Sequence, residues 1–310
     1  MLTLTQKKTA QAIVNIFETG SVLGDYGNVT LIRGDTGHLT FGRSQTTLGS
    51  GNLHELLQRY CQNPGARFAT RLTPFLGRCK ARDIALDQDR HLHNVLRASA
   101  DDPVMRETQD AFFDQVYWQK AERAAGELGI TTPLGMAVVY DSTVHGSWER
   151  IRDRVQAKSG SFDTLGEQAW IKAYIETRES WLANHDNEAL HPTVYRMEAF
   201  RRLIEQNHWG LDLPLVVRGL EISTATLNGT PPGCYDGPQP GSRVLTLQTP
   251  LARGLDVRLV QLGLSFAGSD IKADGIYGQT SAARIKDFQQ AHGLPATGVV
   301  DAALIAQLVA

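Results

Sequence analysis

Apolar residues recur along this chain with a helical period over most of its length. Ala10, Ile13, Val14 and Phe17 stand at i, i+3, i+4 and i+7, which predicts a helix over residues 6–17 with one buried stripe. Glu18 falls at its C-terminal end, and Gly20 is placed to terminate it. The period then changes. Gly24, Gly27, Gly34, Gly37 and Gly42 punctuate a β-branched stretch, residues 29–32, and a return, residues 38–41. With Gly34-Asp35-Thr36-Gly37 between them, the two predict a twisted hairpin. From Gly51-Asn52 onward the helical period is back. Leu53, Leu56, Leu57 and Tyr60 form a stripe, residues 67–76 and 84–96 are shorter candidates, and residues 104–125 form a long one. Pro133 suits the first turn of a helix, and residues 134–140 are apolar nearly all round, as in a helix that crosses a core. Residues 165–181 and 194–206 are further amphipathic helices, so the expected class is mainly α with one small hairpin.

Residues 222–250 break this regime. Asn228-Gly229-Thr230-Pro231-Pro232-Gly233 and Asp236-Gly237-Pro238-Gln239-Pro240-Gly241 read as a linker by composition. Beyond it, residues 255–264, 280–292 and 302–309 predict a three-helix module. It holds two versions of one turn, at Asp274-Gly275 and Thr297-Gly298, each leading into a helix. The expected organisation is a domain over 1–221, a linker over 222–250 and an independently folded binding module over 251–310, with a docking domain for its own neighbour as the plainer reading of the module.

Bulk composition narrows the function classes. The 310 residues are 42% hydrophobic and 21% charged, which fits about two soluble globular domains. A formal net charge of −2 supplies no field for nucleic acid. Cys61, Cys79 and Cys234 are odd in number and lack metal or redox spacing, so a reducing compartment and no disulfide framework are expected. The opening residues lead into an amphipathic run that does not read as a secretory signal, and no stretch approaches the roughly 20 apolar residues of a membrane span.

The chemistry candidates sit at the first change of period. A carboxyl at a helix end beside an apolar face, Glu18, and a second on a hairpin turn, Asp35, are the two groups that glycosidic hydrolysis needs. One donates a proton to the leaving oxygen, while the other, ionised, activates water. Thr40 adds a hydroxyl on the hairpin. Taken singly each carboxyl has a plainer reading: Glu18 as a solvated helix end, Asp35 as a residue that shapes its turn. Asp25 has the same plain reading. His91 and His93, at i and i+2, point to different faces of a helix and do not make a metal site. The hydroxyls near His145 lack a nucleophile elbow.

Several pieces in order carry a resemblance: Phe17-Glu18-Thr19-Gly20-Ser21, Arg33-Gly34-Asp35-Thr36-Gly37, Gly51-Asn52-Leu53-His54-Glu55, Val139-Tyr140-Asp141 through His145-Gly146, and Ala173-Tyr174 through Arg178. Residues 3–219 thereby resemble the chitosanases of glycoside hydrolase family 46, within the lysozyme-like superfamily. The resemblance implies a two-lobed, lysozyme-like α+β catalytic domain with the cleft between its lobes, and an inverting outcome. It implies Glu18 as general acid, Asp35 as general base and Thr40 as a hydroxyl that positions water. Asp141 and Arg178, with Arg201 or Arg202 as third member and Arg202 preferred, are implied as a buried acid–arginine network. Asn52, Arg43 and Tyr26 are implied as substrate contacts. No cofactor and no metal is implied. Residues 253–310 resemble the peptidoglycan-binding module of bacterial wall hydrolases, on Leu255-Asp256-Val257-Arg258-Leu259 and Ala273-Asp274-Gly275-Ile276-Tyr277.

Asn52 and Leu31 stand where the family carries acids that grip a cationic sugar. Loss of those acids fits an uncharged, N-acetylated sugar. The expected activity is therefore endo-acting cleavage of peptidoglycan β-1,4 bonds by a monomer held on the wall by its module, with hydrolysis of glucosamine polymer as the alternative. A wall-binding protein with a dead catalytic domain is a third reading, disfavoured by the intact Glu18, Asp35 and Thr40. Without a signal peptide, the chain is expected to be made in a bacterial or phage-infected cytoplasm and to reach the wall by lysis or contact-dependent secretion. An immunity protein is an expected partner in the second case.

Overall fold

The computed structural model describes residues 2–32, 34–43 and 45–309; Arg33 of the hairpin signature lies outside them. In chain order, helix α1 (Leu4–Thr19) leads to three short strands, β1 (Val29–Thr30), β2 (Thr40–Phe41) and β3 (Thr46–Thr47). Then come α2 (Asn52–Cys61), α3 (Ala69–Lys80), α4 (Arg90–Ser99), α5 (Pro103–Phe113) and α6 (Gln119–Leu128). Helices α7 (Pro133–His145), α8 (Trp148–Lys158), α9 (Phe162–Leu165), α10 (Glu167–Ala183) and α11 (Tyr195–Glu205) follow. Strands β4 (Leu215–Val217) and β5 (Leu220–Ile222) and helix α12 (Thr224–Leu227) come next, and α13 (Leu255–Phe266), α14 (Gln279–Ala291) and α15 (Ala302–Val309) close the chain. Among the described residues, no helix is long and apolar enough to cross a membrane.

These elements form two compact units, residues 1–24 with 113–229, and residues 25–112 with 230–310. In the first, α1 lays Ala10, Ile13, Val14 and Phe17 into a core built on α7, whose residues from Leu134 to Ser142 are all buried. Thr3 and Gln6 close a reciprocal capping box at the start of α1, and Gly20, at φ 68°, ends it in the left-handed region open to glycine. The start of α7 is fixed by Thr132 as N-cap, Pro133 in the first turn, and Glu167, whose carboxylate accepts the Thr131 and Thr132 N–H groups.

In the second unit, β1, β2 and β3 form an antiparallel sheet with Thr40 opposite Thr30 on one side and Thr47 on the other. Leu39, Phe41 and Leu48 from this sheet join Leu53, Leu56, Leu57 and Tyr60 of α2 and Leu92, Val95 and Leu96 of α4 in one core. Leu262 of α13 belongs to that same core. The C-terminal module thus packs on α4, and the Pro/Gly segment before it is bonded in place. The Tyr235 N–H donates to Asp101 at 2.8 Å, and Arg106 pairs with Asp236 at 2.9 Å. Composition predicts an independently folded module on a linker; in the structure the module has a core of its own around Val257, Val260, Leu264, Tyr277 and Ile285, and it adds Leu262 to the core of α2 and α4. Pro and Gly lower the cost of an irregular path but say nothing about what that path touches.

Candidate active site

Glu18 sits one residue before the end of α1, and its side chain is 42% exposed, open to a ligand. The surroundings are not only apolar, as the helix-end position had implied. Arg196 Nη2 donates to Glu18 Oε1 at 2.6 Å. The guanidinium itself is buried, lies over the Phe17 ring, and gives Nη1 to Asp141 Oδ1 at 2.7 Å. The other oxygen of Asp141 accepts from Arg178 Nη1 at 2.5 Å, and Arg178 Nη2 reaches His145 Nδ1 at 3.2 Å. Asp141 and Arg178 are fully buried. Burial alone would push the Asp141 carboxyl up, but Arg178 and Arg196 outweigh it and hold it below the ordinary carboxylate value. Burial, then the charges of Arg196 and Arg178, push the His145 imidazole down to about 4. It is therefore neutral near pH 7, with Nδ1 free to accept from Arg178.

The third member of the network is Arg196, and neither Arg201 nor Arg202 takes that place. Arg201 pairs with Glu179, and Arg202 is exposed beside Tyr195 and Arg218. The reason is helical phase: Arg196, Phe200 and Leu203 occupy i, i+4 and i+7 on the buried stripe of α11, and position 202 falls off it. That stripe was readable in the sequence and would have selected Arg196.

Asp35 and Thr40 belong to the second unit. Asp35 is exposed at the hairpin turn, where Oδ1 accepts the Gly37 N–H at 3.2 Å. It therefore shapes its turn, as its plainer reading held, while standing where solvent and ligand reach it. Thr40 is buried in β2 and donates its hydroxyl to the His38 carbonyl at 3.1 Å, which leaves its oxygen able to accept. The hairpin is held from outside by Asp87, a residue the sequence reading did not single out. Its two oxygens accept the Leu39 N–H at 2.9 Å and meet His38 Nδ1 at 2.8 Å. Asp87 lies in a 3₁₀ turn, Ile84–Gln88, so the stretch 84–96 expected as one helix is this turn followed by α4 from Arg90.

The three expected substrate contacts divide. Asn52 is exposed at the first position of α2, its N–H on Ser50 Oγ at 3.3 Å. Tyr26 and Arg43 are instead turned inward: the Tyr26 hydroxyl donates to Asp110 Oδ1 at 2.7 Å, and Arg43 pairs with the same oxygen from a side chain 6% exposed. Burial pushes the Tyr26 phenol well above its ordinary value. The shared Asp110 carboxylate, its side chain 42% exposed, ties both groups to α5. Leu31, at the other substituted position, is 43% exposed.

Residues 12–215 match the family model for glycosyl hydrolase family 46, and residues 253–308 match a peptidoglycan binding domain. A chitosanase of Bacillus subtilis (strain 168) is 27% identical over 230 residues, covering 70% of this chain and 83% of that one. The solved native chitosanase of Bacillus subtilis MY002 aligns with a TM-score of 0.55 at 26% identity, over 70% of this chain and 96% of that one. A family 46 chitosanase of Gynuella sunshinyii in complex with chitotetraose aligns with a TM-score of 0.56 at 25% identity, over 73% and 99%. With a family model spanning most of its length and the lysozyme-like architecture of these structures, the chain is a glycoside hydrolase and belongs to family 46.

Proposed function

We propose that the chain is an endo-acting, inverting chitosanase that hydrolyses β-1,4 bonds between glucosamine units. The observation that carries this reading is the family match over residues 12–215, joined to relatives named as chitosanases. A glutamate-to-alanine mutant of the Bacillus subtilis MY002 enzyme is described as complexed with 6 GlcN, which fits a polymer ligand of this class. In this reading the Glu18 carboxyl gives its proton to the glycosidic oxygen as the C1–O bond breaks. Asp35 takes a proton from the water that attacks C1 from the opposite face, and Thr40 accepts a hydrogen bond that orients that water. Arg196 fixes the rotamer of Glu18 from behind. Inversion needs the two carboxyls about 6.5–9.5 Å apart when substrate is bound, leaving room for one water.

A second reading, cleavage of N-acetylated peptidoglycan strands, is favoured by the C-terminal module and by the neutral, exposed Asn52. It also draws on cations in the first unit, Lys120, Arg150, Arg154 and Lys158, which outnumber the carboxylates Glu149 and Asp186 around grooves that share Trp181 and His185. Such an excess repels a polyammonium strand and attracts the carboxylates of a wall glycan.

Mass spectrometry of products from chitosan and from purified sacculi separates the two. Chitosan fragments with intact sacculi support the chitosanase, and the reverse supports the wall hydrolase. A carboxylate at position 52 supplies a charge-assisted hydrogen bond worth roughly 1.5–3 kcal/mol to an ammonium. Asn52→Asp is therefore expected to shift the kcat/KM ratio towards chitosan on the order of 10- to 150-fold.

A further inference from the structure

The seam between the C-terminal module and α4 is closed by buried polar groups. Asn94, 2% exposed on α4, donates through Nδ2 to Ser265 Oγ at 3.0 Å and to the Ile271 carbonyl at 2.8 Å. Its Oδ1 accepts the Ala273 N–H at 2.9 Å. Arg258 of α13 is equally buried, with Nε 3.0 Å from Asp101 Oδ2 and Nη1 on the Arg97 carbonyl at 2.8 Å. His91 stacks on Phe266 with ring centroids 5.5 Å apart. Each of these groups would be left unpaired or bared to water if the module lifted away, and an unpaired buried donor or charge is costly. The module is therefore held at one position on α4, unlike a tethered domain that samples many.

Helix α4 is in turn tied to the hairpin. Asp89, its N-cap, follows directly on the Ile84–Gln88 turn, and His93 Nε2 reaches the Leu86 carbonyl at 3.1 Å. That turn carries Asp87, which holds His38 and the Leu39 N–H. A continuous set of short contacts therefore runs from Ser265, Ile271 and Ala273 through Asn94 and α4 to Asp87, and from there to the hairpin that bears Asp35 and Thr40.

We propose that the C-terminal module is a positioning element for hydrolysis: by clamping α4 through Asn94 it fixes Asp87, and through Asp87 the placement of the Asp35 hairpin. The proposal rests on the reading of Asp35 as the base. It gives the module a role in turnover of short soluble substrates, too small to need an anchor, in addition to any binding of polymer.

The test uses the full chain with Asn94→Ala, which removes three seam bonds, and Ser265→Ala, which removes two, to Asn94 and His91, and serves where the first variant does not fold. Two quantities are read: kcat and KM on glucosamine hexamer, and amide hydrogen exchange of the peptide containing Leu39. Displacement of a reacting group by an ångström costs on the order of 100-fold, so a fall in kcat of about 10- to 100-fold is expected for Asn94→Ala, with KM nearly unchanged. Exchange at Leu39 should quicken in the same variant, and Ser265→Ala should show both effects in smaller measure. Hairpin exchange that stays at the wild-type rate while α13 exchanges faster would overturn the coupling, as would a quickened hairpin with unchanged kcat. Asp35→Asn is run beside them. Its full activity would dismiss the base assignment, whereas the exchange result judges the coupling on its own.

Discussion

Arg196 is the residue on which the setting of Glu18 depends. Among the described residues it is the one side chain hydrogen-bonded to both Glu18 and Asp141, and it bonds them from a buried position. Removing one member of a buried ion pair typically costs about 3–5 kcal/mol, because the partner charge stays behind. Arg196→Met should therefore lower the unfolding free energy by about that much and lower kcat as Glu18 loses its support. Arg202→Ala, at an exposed position, should change stability by no more than about 0.5 kcal/mol. Urea melts of the two variants check this, and equal destabilisation would contradict the placement of the network. The sequence showed that an Asp at the end of an apolar helix needs arginines. Three arginines lie within seven residues, and the phase of the buried stripe on α11 is the signal that separates Arg196 from the other two.

His145 gives the same network a pH signature. Its folded value, about 4, lies below the ordinary 6.5. As pH falls from 6.5 towards 4 the unfolded chain takes up a proton that the native state refuses, so stability drops across that window. Asp141, held below its ordinary 3.8, adds a further loss only at still lower pH, where its carboxylate must protonate. Urea midpoints measured from pH 7 to 4 should fall for wild type and fall less for His145→Gln. Parallel curves would remove His145 from the account.

Among the elements, the hairpin is held where glycine is required by geometry, at Gly49, a position the sequence pattern does not single out. The Gly49 N–H donates to the Gly37 carbonyl at 2.9 Å, and a Cβ at Gly49 would lie 2.2 Å from the backbone oxygen of Thr36. Backbone cannot swing aside as a side chain can, so Gly49→Ala must push the Asp35 turn. The expected result is a kcat on the order of 100-fold lower in a chain that still folds. Wild-type turnover in this variant would mean that the turn's position does not matter. Helices with a full apolar stripe, such as α1 and α7, were plain from the sequence. The long stretch 104–125 was read as one helix, but it passes through a π-helical turn at Asp114–Trp118, where Asp114 receives Lys7 and Gln11. Helix α8 was missed because its buried set, Trp148, Ile151 and Val155, is thin among charged residues. Strands β4 and β5 were missed because three residues each are too few to display a period.

For the whole molecule, family membership and the two kinds of domain were legible because both rest on local motifs. The attachment of the module was not. Asn94 and Arg258 on helices and Asp101 in a turn are ordinary polar residues until the fold brings them together across more than a hundred positions. In the function proposed, Glu18 and Asp35 act as an acid and base pair on a glucosamine polymer with inversion. Proton NMR of glucosamine hexamer during cleavage tests it most directly. Wild type should release α-anomers first, which then mutarotate, while Glu18→Gln and Asp35→Asn should release nothing on the same timescale. Initial β-anomers, wild-type rates in either variant, or an intact hexamer with wild type would contradict it.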